Sequence, residues 1–420
     1  MSDSSTARGG VSARLLVALS LLGALGPLSV DAYLPGFPQM ATDLATTASS
    51  VHLTLTAFLL GLAGGPLVIG PLSDRFGRRA PLLISMVICT LASIGAAWTD
   101  NVSVMIACRF IQGFTGSAGM VIGRSIVTDL STGRAAIKAF SILAAIGSFA
   151  PVVAPLLGGL LMPSIGWRGV LWVVALGAAL VTVLSAVMIR ETLAPQHRTA
   201  GGIAETGRTV MRLSRNRGYV GYLLIAAIGF GAILAYVSAS PFVLQNVFGL
   251  SPGAFSLAFA FNSMGLILAS FINARLVSRI EPARILEVAQ AGLVGVSALL
   301  ALTVLTGVAT IVTVLPMTFL MVTLIAFVLS NASALAMVSV PSGTGNGTAA
   351  ALLGSIQFGF GAVASPLVGL GGEDSATAMV VVIAACAVVG LGVVAVVRRS
   401  PVMIGEYDTE GATTPAFPSH

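Results

Sequence analysis

Apolar stretches recur along the whole chain, and short clusters of polar and charged residues separate them. Each stretch is about 20 residues long, the length at which a helix crosses the hydrocarbon core of a bilayer. Lipid offers the backbone no hydrogen-bond partners, so such stretches predict helices. We predict twelve membrane spans, at residues 15–37, 51–72, 80–98, 101–124, 138–161, 168–189, 219–245, 252–274, 286–307, 310–337, 346–370 and 376–397.

The composition excludes a water-soluble domain. Hydrophobic residues make up 56% of the chain and charged residues only 9%, whereas soluble domains carry about 25% charged residues. The first apolar run is too long for a cleaved signal peptide, and Pro35 and Pro38 follow it instead of a small-residue cleavage site. The fold class is therefore an all-α polytopic membrane protein with twelve transmembrane helices. Cys89, Cys108 and Cys386 lie in predicted spans without metal-site spacing, and we expect no metal and no cofactor.

Basic residues predict the orientation in the membrane, because they concentrate in cytoplasmic loops. With the N-terminus inside, 19 of the 21 Lys and Arg residues fall in predicted cytoplasmic segments. Only Arg109 and Arg168 lie elsewhere. The pattern predicts a multi-pass protein of the cell membrane with both termini in the cytoplasm. The net charge of +6 follows from this bias and from anionic headgroups, so it does not indicate a nucleic-acid partner.

A polar stretch with six arginines, from Arg190 to Arg217, divides the predicted spans into six and six. The sequence Pro155–Gly158 of span five has a similar counterpart, Pro366–Gly369, in span eleven, as an internal repeat would produce. The glycine-rich stretch Gly343–Gly347 predicts a turn before span eleven, because no strand precedes it to form a nucleotide-binding loop. The predicted domains are a cytoplasmic tail at 1–14, a first six-helix bundle at 15–190, a linker at 191–218, a second bundle at 219–399 and a tail at 400–420.

Two ionisable residues lie within the predicted spans and away from the span ends, Asp31 and Arg109. Such residues are costly in a membrane and usually mark a transport pathway. Both lie about 9 to 12 Å below the outer boundary at 1.5 Å per residue, so they are candidate partners. A carboxylate at that depth can take up or release a proton as its surroundings change. The alternatives are a hydrated rim residue for Asp31 and a structural ion pair or carbonyl clamp for Arg109.

A charged motif follows span two. Gly77 permits a tight turn, Gly70 permits close helix approach, and Asp74 can face a helix N-terminus or pair with an arginine. We predict that Arg78 pairs with Asp129 at the end of span four. The alternative is a basic loop that only obeys the orientation rule. The complete motif comprises Gly70, Asp74, Arg75, Gly77, Arg78 and Arg79, together with Asp129.

The stretch from Gly70 to Arg79 resembles the cytoplasmic signature of the major facilitator superfamily. In that family it sets the balance between conformations by latching the two six-helix bundles in the outward-open state. Span five is similar to the motif of the family's antiporters, through Gly147, Pro151, Pro155, Gly158 and Gly159. Together with Asp31 and Arg109, these stretches resemble the Bcr/CflA group of drug:proton antiporters. In span five the prolines could bend the helix and seal the cavity, or the glycines could simply allow close packing.

The resemblance implies proton-coupled efflux of small drug-like molecules, and we expect a monomer whose partners are a small-molecule drug or metabolite, protons and the lipid bilayer. Proton-coupled uptake of a small metabolite is the alternative function. A membrane-embedded enzyme or receptor is disfavoured, because the chain has no catalytic cluster and no large domain outside the membrane. The polar residues that we predict in the substrate cavity are Tyr33, Gln112, Tyr236, Asn262 and Gln357, and each could instead be a helix-packing contact.

Overall fold

The computed structural model describes residues 12–198, 202–341 and 345–399, and the regular structure in these ranges is helical. The predicted tails therefore lie outside the described residues apart from 12–14, and so does Gly343 of the predicted turn. The described residues form thirteen α-helices: α1 (Ala13–Asp31), α2 (Phe37–Asp43), α3 (Ala48–Phe76), α4 (Arg79–Trp98), α5 (Val102–Leu130), α6 (Gly133–Met188), α7 (Gly202–Arg215), α8 (Arg217–Phe242), α9 (Pro252–Leu276), α10 (Pro282–Leu305), α11 (Ile311–Val338), α12 (Asn346–Gly369) and α13 (Thr377–Arg399).

Eleven stretches of the described chain are long and apolar enough to cross a membrane, and α6 explains the difference from twelve. Its 56 residues would measure about 84 Å if straight, almost three times the hydrocarbon core. The helix is broken at Gly166, whose φ of 64° favours glycine. Both ends of α6 lie at one membrane face, because it starts just after α5 ends and its Ala186 carbonyl accepts a hydrogen bond from Arg79 at the start of α4. The chain therefore crosses twice within α6, and the twelve-span prediction is confirmed.

The spans form two six-helix bundles, α1–α6 and α8–α13, which pack against each other through α3 with α12 and α6 with α9. Within the first bundle, α3 and α5 make the most extensive contact. Glycines permit it: a Cβ at Gly61 would lie 2.4 Å from the carbonyl oxygen of Phe110, and one at Gly113 would lie 2.1 Å from that of Phe58. Close backbone approach of this kind is how helices associate where lipid removes the hydrophobic drive.

We call the membrane face with the α3–α4 turn, the end of α5 and the start of α7 the basic face, and the other the opposite face. At the opposite face the two bundles are in direct contact. Three hydrogen bonds cross between them there, from Ser49 Oγ to the Gly369 carbonyl (2.8 Å), from Gln245 Nε2 to the Pro35 carbonyl (3.0 Å) and from the Ala48 N–H to Glu373 Oε1 (3.0 Å). We call this set of residues the opposite-face contact.

Helix α7 lies in the segment predicted as a linker, where the sequence analysis placed no helix. It packs against α3, α8 and α12. Leu213 is its fully buried contact, whereas Arg208, Met211, Arg212 and Arg215 are exposed. Positions 208, 211, 212 and 215 follow the i, i+3, i+4, i+7 spacing of one side of a helix. Helix α7 is therefore amphipathic, and its arginine-bearing side points away from the bundles.

Candidate functional site

Asp31 is the last residue of α1. The helix stops there because Pro35 follows four residues later: proline has no N–H for the Asp31 carbonyl, and its ring would collide with that carbonyl in a continued helix. The chain instead turns through the short 3₁₀ segment Leu34–Gly36. The Asp31 side chain is buried, with 6% of its surface exposed. No described residue donates a hydrogen bond to its carboxylate or pairs with it.

Arg109 is fully buried in α5 and reaches the end of α1. Its Nη2 donates to the Ser29 carbonyl at 2.7 Å, and its Nη1 donates to Gln112 Oε1 at 2.7 Å. The guanidinium lies over the rings of Tyr33 and Phe58, 4.2 and 4.7 Å from their centroids. Ser29 is in the last turn of α1, where carbonyls lack helical partners and a cation is favoured. Arg109 therefore caps a helix that ends inside the membrane.

The ion pair considered between Asp31 and Arg109 is absent among the described residues in this conformation. Arg109 caps the carbonyl two residues before Asp31 instead. The physical reason is that the helix break leaves backbone carbonyls without helical partners and also places the Asp31 carboxylate nearby. A buried guanidinium can donate hydrogen bonds to the carbonyls or to the carboxylate. Its Nε has no partner among the described residues, so the guanidinium keeps at least one unused donor.

The glycines of the span-five motif lie at two helix contacts beside this helix break. A Cβ at Gly158 would lie 1.9 Å from the carbonyl oxygen of Ala32, the residue after Asp31. A Cβ at Gly159 would lie 2.1 Å from Ser256 Oγ in α9, across the contact between the bundles. Gly147, by contrast, faces open space. Pro151 and Pro155 lie within α6, which remains helical through both.

A cavity of about 470 Å³ lies between the bundles and reaches the basic face. Its walls come from α3, α5 and α12, with Thr206 of α7 at one side. Asp74, whose side chain is 47% exposed, lines it near that face. The cavity and the opposite-face contact together describe a carrier open toward the basic face and closed at the other.

The five residues predicted for the cavity do not line it in this conformation. Each is held by hydrogen bonds within its own bundle. The contacts are Tyr33 hydroxyl with Thr54 Oγ1 (3.2 Å), Gln112 Nε2 to Ser93 Oγ (2.7 Å), Asn262 Nδ2 to the Tyr236 hydroxyl (2.6 Å) and to Thr318 Oγ1 (2.9 Å), and Gln357 Nε2 to Ser333 Oγ (3.3 Å). The Asn262 Oδ1 atom is buried without a partner.

The charged motif forms a network at the basic face. Arg78 Nε donates to Asp129 Oδ2 at 3.1 Å, as predicted, and its Nη1 pairs with Asp74 and donates to Ser73 Oγ at 2.9 Å. Thr192 Oγ1 also donates to Asp129 Oδ2, at 2.9 Å. Burial alone would lower the pKa of Arg78, but the two carboxylates raise it above its ordinary value. The motif therefore ties α3, α4 and α5 to the end of α6.

The remaining motif residues shape the turn. Gly77 has φ of 95°, and a Cβ there would lie 2.4 Å from Glu191 Oε2, so only glycine fits. Arg79 Nη2 donates to the Ala186 carbonyl at 3.0 Å, and Arg75 lies over the Phe76 ring. Gly70 lines the cavity, with ordinary van der Waals room beside it.

Sequence analysis missed the role of Glu191. Its carboxylate accepts backbone N–H groups of Arg78 (2.8 Å) and Arg79 (3.2 Å), and those of Thr192 and Leu193 (both 3.0 Å). Burial alone would raise the pKa of Glu191, but these four donors hold it below its ordinary value. The signal in the sequence is weak, because Glu191 is separated from Arg78 by 112 intervening positions and only the fold brings it to the start of α4.

Comparisons with known proteins agree with this architecture. Residues 19–366 match the family model described as Major Facilitator Superfamily. The chain is 39% identical over 375 residues to the uncharacterised MFS-type transporter YdgK of Bacillus subtilis (strain 168), covering 89% of this chain and 92% of that protein. It is 30% identical over 385 residues to the bicyclomycin resistance protein homolog of Haemophilus influenzae, covering 90% and 94%.

A crystal structure of a D-xylose-proton symporter has the same fold, with a TM-score of 0.72 and 16% identity over 91% of this chain and 96% of that one. The family match covers most of the chain, and members of this family are membrane carriers rather than enzymes. This protein belongs to the major facilitator superfamily.

Proposed function

We propose that this protein is a proton-coupled antiporter that exports small drug-like molecules across the cell membrane. The observation that carries the proposal is Asp31, a carboxylate buried at a helix break within the membrane with no described protein donor. Burying a charge without a partner costs far more free energy than burying the neutral, protonated acid. Asp31 can therefore exchange a proton when the surrounding helices admit water.

The position of Asp31 links that proton to the conformational change. The next residue, Ala32, is in contact with Gly158, and Gly159 lies at the contact between the bundles. Hydration of Asp31 is therefore coupled to movement of the part of α6 before Gly166, which packs against α9 of the other bundle. Arg109 holds the end of α1 in the present conformation and can move toward the carboxylate when the proton leaves, because opposite charges nearby favour the ionised form.

We propose that the basic face is cytoplasmic, with both termini in the cytoplasm, because basic residues are retained on that side. The moving units are the two bundles at 15–190 and 219–399, joined by 191–218, and the protein works as a monomer. The conformation described here is then inward-open, ready to take a substrate from the cytoplasm. One proton per cycle follows from Asp31 as the single carboxylate that lies away from the ends of the described spans.

Export of drugs is supported by the Haemophilus influenzae relative, a bicyclomycin resistance protein homolog. The D-xylose-proton symporter shares the fold at 16% identity, and likeness at that level does not indicate direction. Uptake of a metabolite therefore remains the competing outcome of the test.

The test uses purified protein in liposomes with an imposed pH gradient and chloramphenicol as the probe. Antiport predicts that probe accumulates in the compartment of lower pH and that a protonophore abolishes the accumulation. Movement of the probe in the same direction as protons would overturn antiport in favour of uptake. Accumulation that is indifferent to the gradient would overturn proton coupling.

A further inference from the structure

One positive charge that lines the cavity has no described partner. Among the described lining residues only Asp74 and Arg124 are charged. Asp74 pairs with Arg78, which does not itself line the cavity. Arg124 is exposed and makes no hydrogen bond, ion pair or ring contact with any described residue. Arg78 is shared with Asp129, so Asp74 keeps part of its negative charge near the basic face. Arg124 is the lining cation that has no described partner.

Arg124 lies in the middle of the α5 wall. The residues of α5 that line the cavity recur at helical spacing and form one face of the helix: Ser117, Met120, Val121, Arg124, Ser125 and Thr128. Toward the membrane centre that face is apolar at Met120 and Val121, and toward the basic face it carries hydroxyls at Ser125 and Thr128. Phe358 and small residues of α12 form the wall across the cavity. A molecule between these walls meets the Arg124 guanidinium, the Asp74 carboxylate near the basic face, and otherwise mostly apolar surface.

A guanidinium offers five N–H donors and no acceptor, and it matches a carboxylate with two parallel hydrogen bonds. In a narrow cavity with low-dielectric walls its field attracts anions and repels cations. We propose that Arg124 is a specificity-determining residue that binds an anionic or strongly accepting oxygen of the substrate, so that the carrier favours anionic and neutral oxygen-rich compounds over organic cations. The inference rests on the proposed export function and names its substrate class.

The experiment compares three probes: fluorescein as the anion, chloramphenicol as the neutral compound and rhodamine 123 as a cation with a related xanthene ring system. Wild type in phosphatidylcholine liposomes should transport fluorescein and chloramphenicol at least about tenfold faster than rhodamine 123, since a hydrogen bond to a charged group contributes about 1.5–3 kcal/mol. Arg124→Gln should remove the preference for fluorescein over rhodamine 123, Arg124→Lys should keep part of it, and Arg124→Glu should reverse it.

Arg134→Gln is the matched control, because Arg134 is exposed at the start of α6 near the basic face but does not line the cavity. This variant removes the same charge from that face and should leave the ratio of fluorescein transport to rhodamine 123 transport unchanged. An unchanged ratio in Arg124→Gln, or an equal change in Arg134→Gln, would overturn the proposal.

Equilibrium binding of fluorescein to purified protein, followed by fluorescence anisotropy, separates this inference from the proposed function. Binding that weakens about tenfold or more in Arg124→Gln supports the anion subsite even if no proton-driven transport is seen, in which case only the export function fails. Binding that is equal in wild type and in the folded variants Arg124→Gln and Arg124→Lys overturns the subsite, whatever the transport assay shows.

Discussion

At the scale of single residues, the chemistry depends on which charged side chains have hydrogen-bond or ion-pair partners. Arg78 has two carboxylates, Arg109 has a carbonyl and an amide, and Asp31 has no described donor. The sequence identified Asp31 and Arg109 as charges within the spans, because few such residues occur there. It could not say which atoms they contact, since the break at Pro35 offers Arg109 free carbonyls as well as a carboxylate.

Replacing Asp31 by Asn should abolish proton-coupled efflux, because an amide cannot gain or lose a proton in the physiological range. Substrate binding should stay within about threefold of wild type, a difference of about 0.6 kcal/mol, since Asp31 does not line the cavity. Counterflow of radiolabelled chloramphenicol without a gradient reports substrate binding and exchange. Gradient-driven uptake, measured in parallel, reports proton coupling. Gradient-driven accumulation by Asp31→Asn would contradict the assignment, and Asp31→Glu should retain part of the activity.

Glu191 should make stability depend on pH in the acid range. Its folded pKa is below its ordinary value of 4.5, so its contribution is fully present above pH 4.5 and is lost as the pH falls through the folded pKa. Glu191→Gln should lower the melting temperature at neutral pH, and the difference from wild type should shrink below pH 4.5.

Thermal unfolding in detergent across this pH range measures the effect. Glu287→Gln is the control, because Glu287 makes only a long ion pair of 3.4 Å with the exposed Arg398. A difference between wild type and Glu191→Gln that stays constant down to the lowest pH would show that the carboxylate does not act through its charge.

At the scale of helices, small residues decide which surfaces can touch. Span boundaries followed from apolar length, and even the division between α10 and α11 came out near its predicted place, with Gly307 in the turn at φ of 72°. The packing partner of each helix could not be predicted from the sequence, because an apolar stripe does not specify which other helix it contacts. In α6 the glycines specify the packing partners, because Gly158 contacts the end of α1 and Gly159 contacts α9.

Gly159→Leu should prop the opposite-face contact open, because even a Cβ there would lie 2.1 Å from Ser256 Oγ. We expect a folded carrier that leaks protons or substrate, with coupling reduced at least about tenfold, the consequence of roughly 1.4 kcal/mol lost from the closed conformation. Gly147→Leu is the control in the same helix, since a Cβ there meets nothing within 4 Å. Proton leak in liposomes is the measurement, and equal tight coupling in both variants would show that the glycine contact is incidental.

At the scale of the whole molecule, two bundles enclose a cavity that reaches one face, while residues distant in sequence close the other. Ser49 meets Gly369, and Pro35 meets Gln245. Alternating access requires these contacts to separate in each cycle.

A disulfide across this contact should therefore stop transport. With cysteine at both Ser49 and Gly369, the two side chains start close enough for their Sγ atoms to form a disulfide once the His52 ring shifts, because a Cβ at 369 would lie 3.2 Å from the Ser49 Cα. Oxidation should inhibit transport nearly completely, reduction should restore it, and each single cysteine variant should be insensitive. Normal transport by protein shown to be fully cross-linked would contradict a moving opposite-face contact.

The sequence by itself determined the membrane class, the twelve spans, the bias of basic residues to one face and the pair Arg78–Asp129, because span length, charge sidedness and a local turn are properties of short segments. The tertiary structure alone decided that Arg109 caps α1 instead of pairing with Asp31, that Glu191 closes the basic-face network, and that Arg124 stands unpaired in the cavity. These features depend on which helix faces meet, and in a membrane that is decided by small-residue contacts and buried hydrogen bonds between segments far apart in the chain.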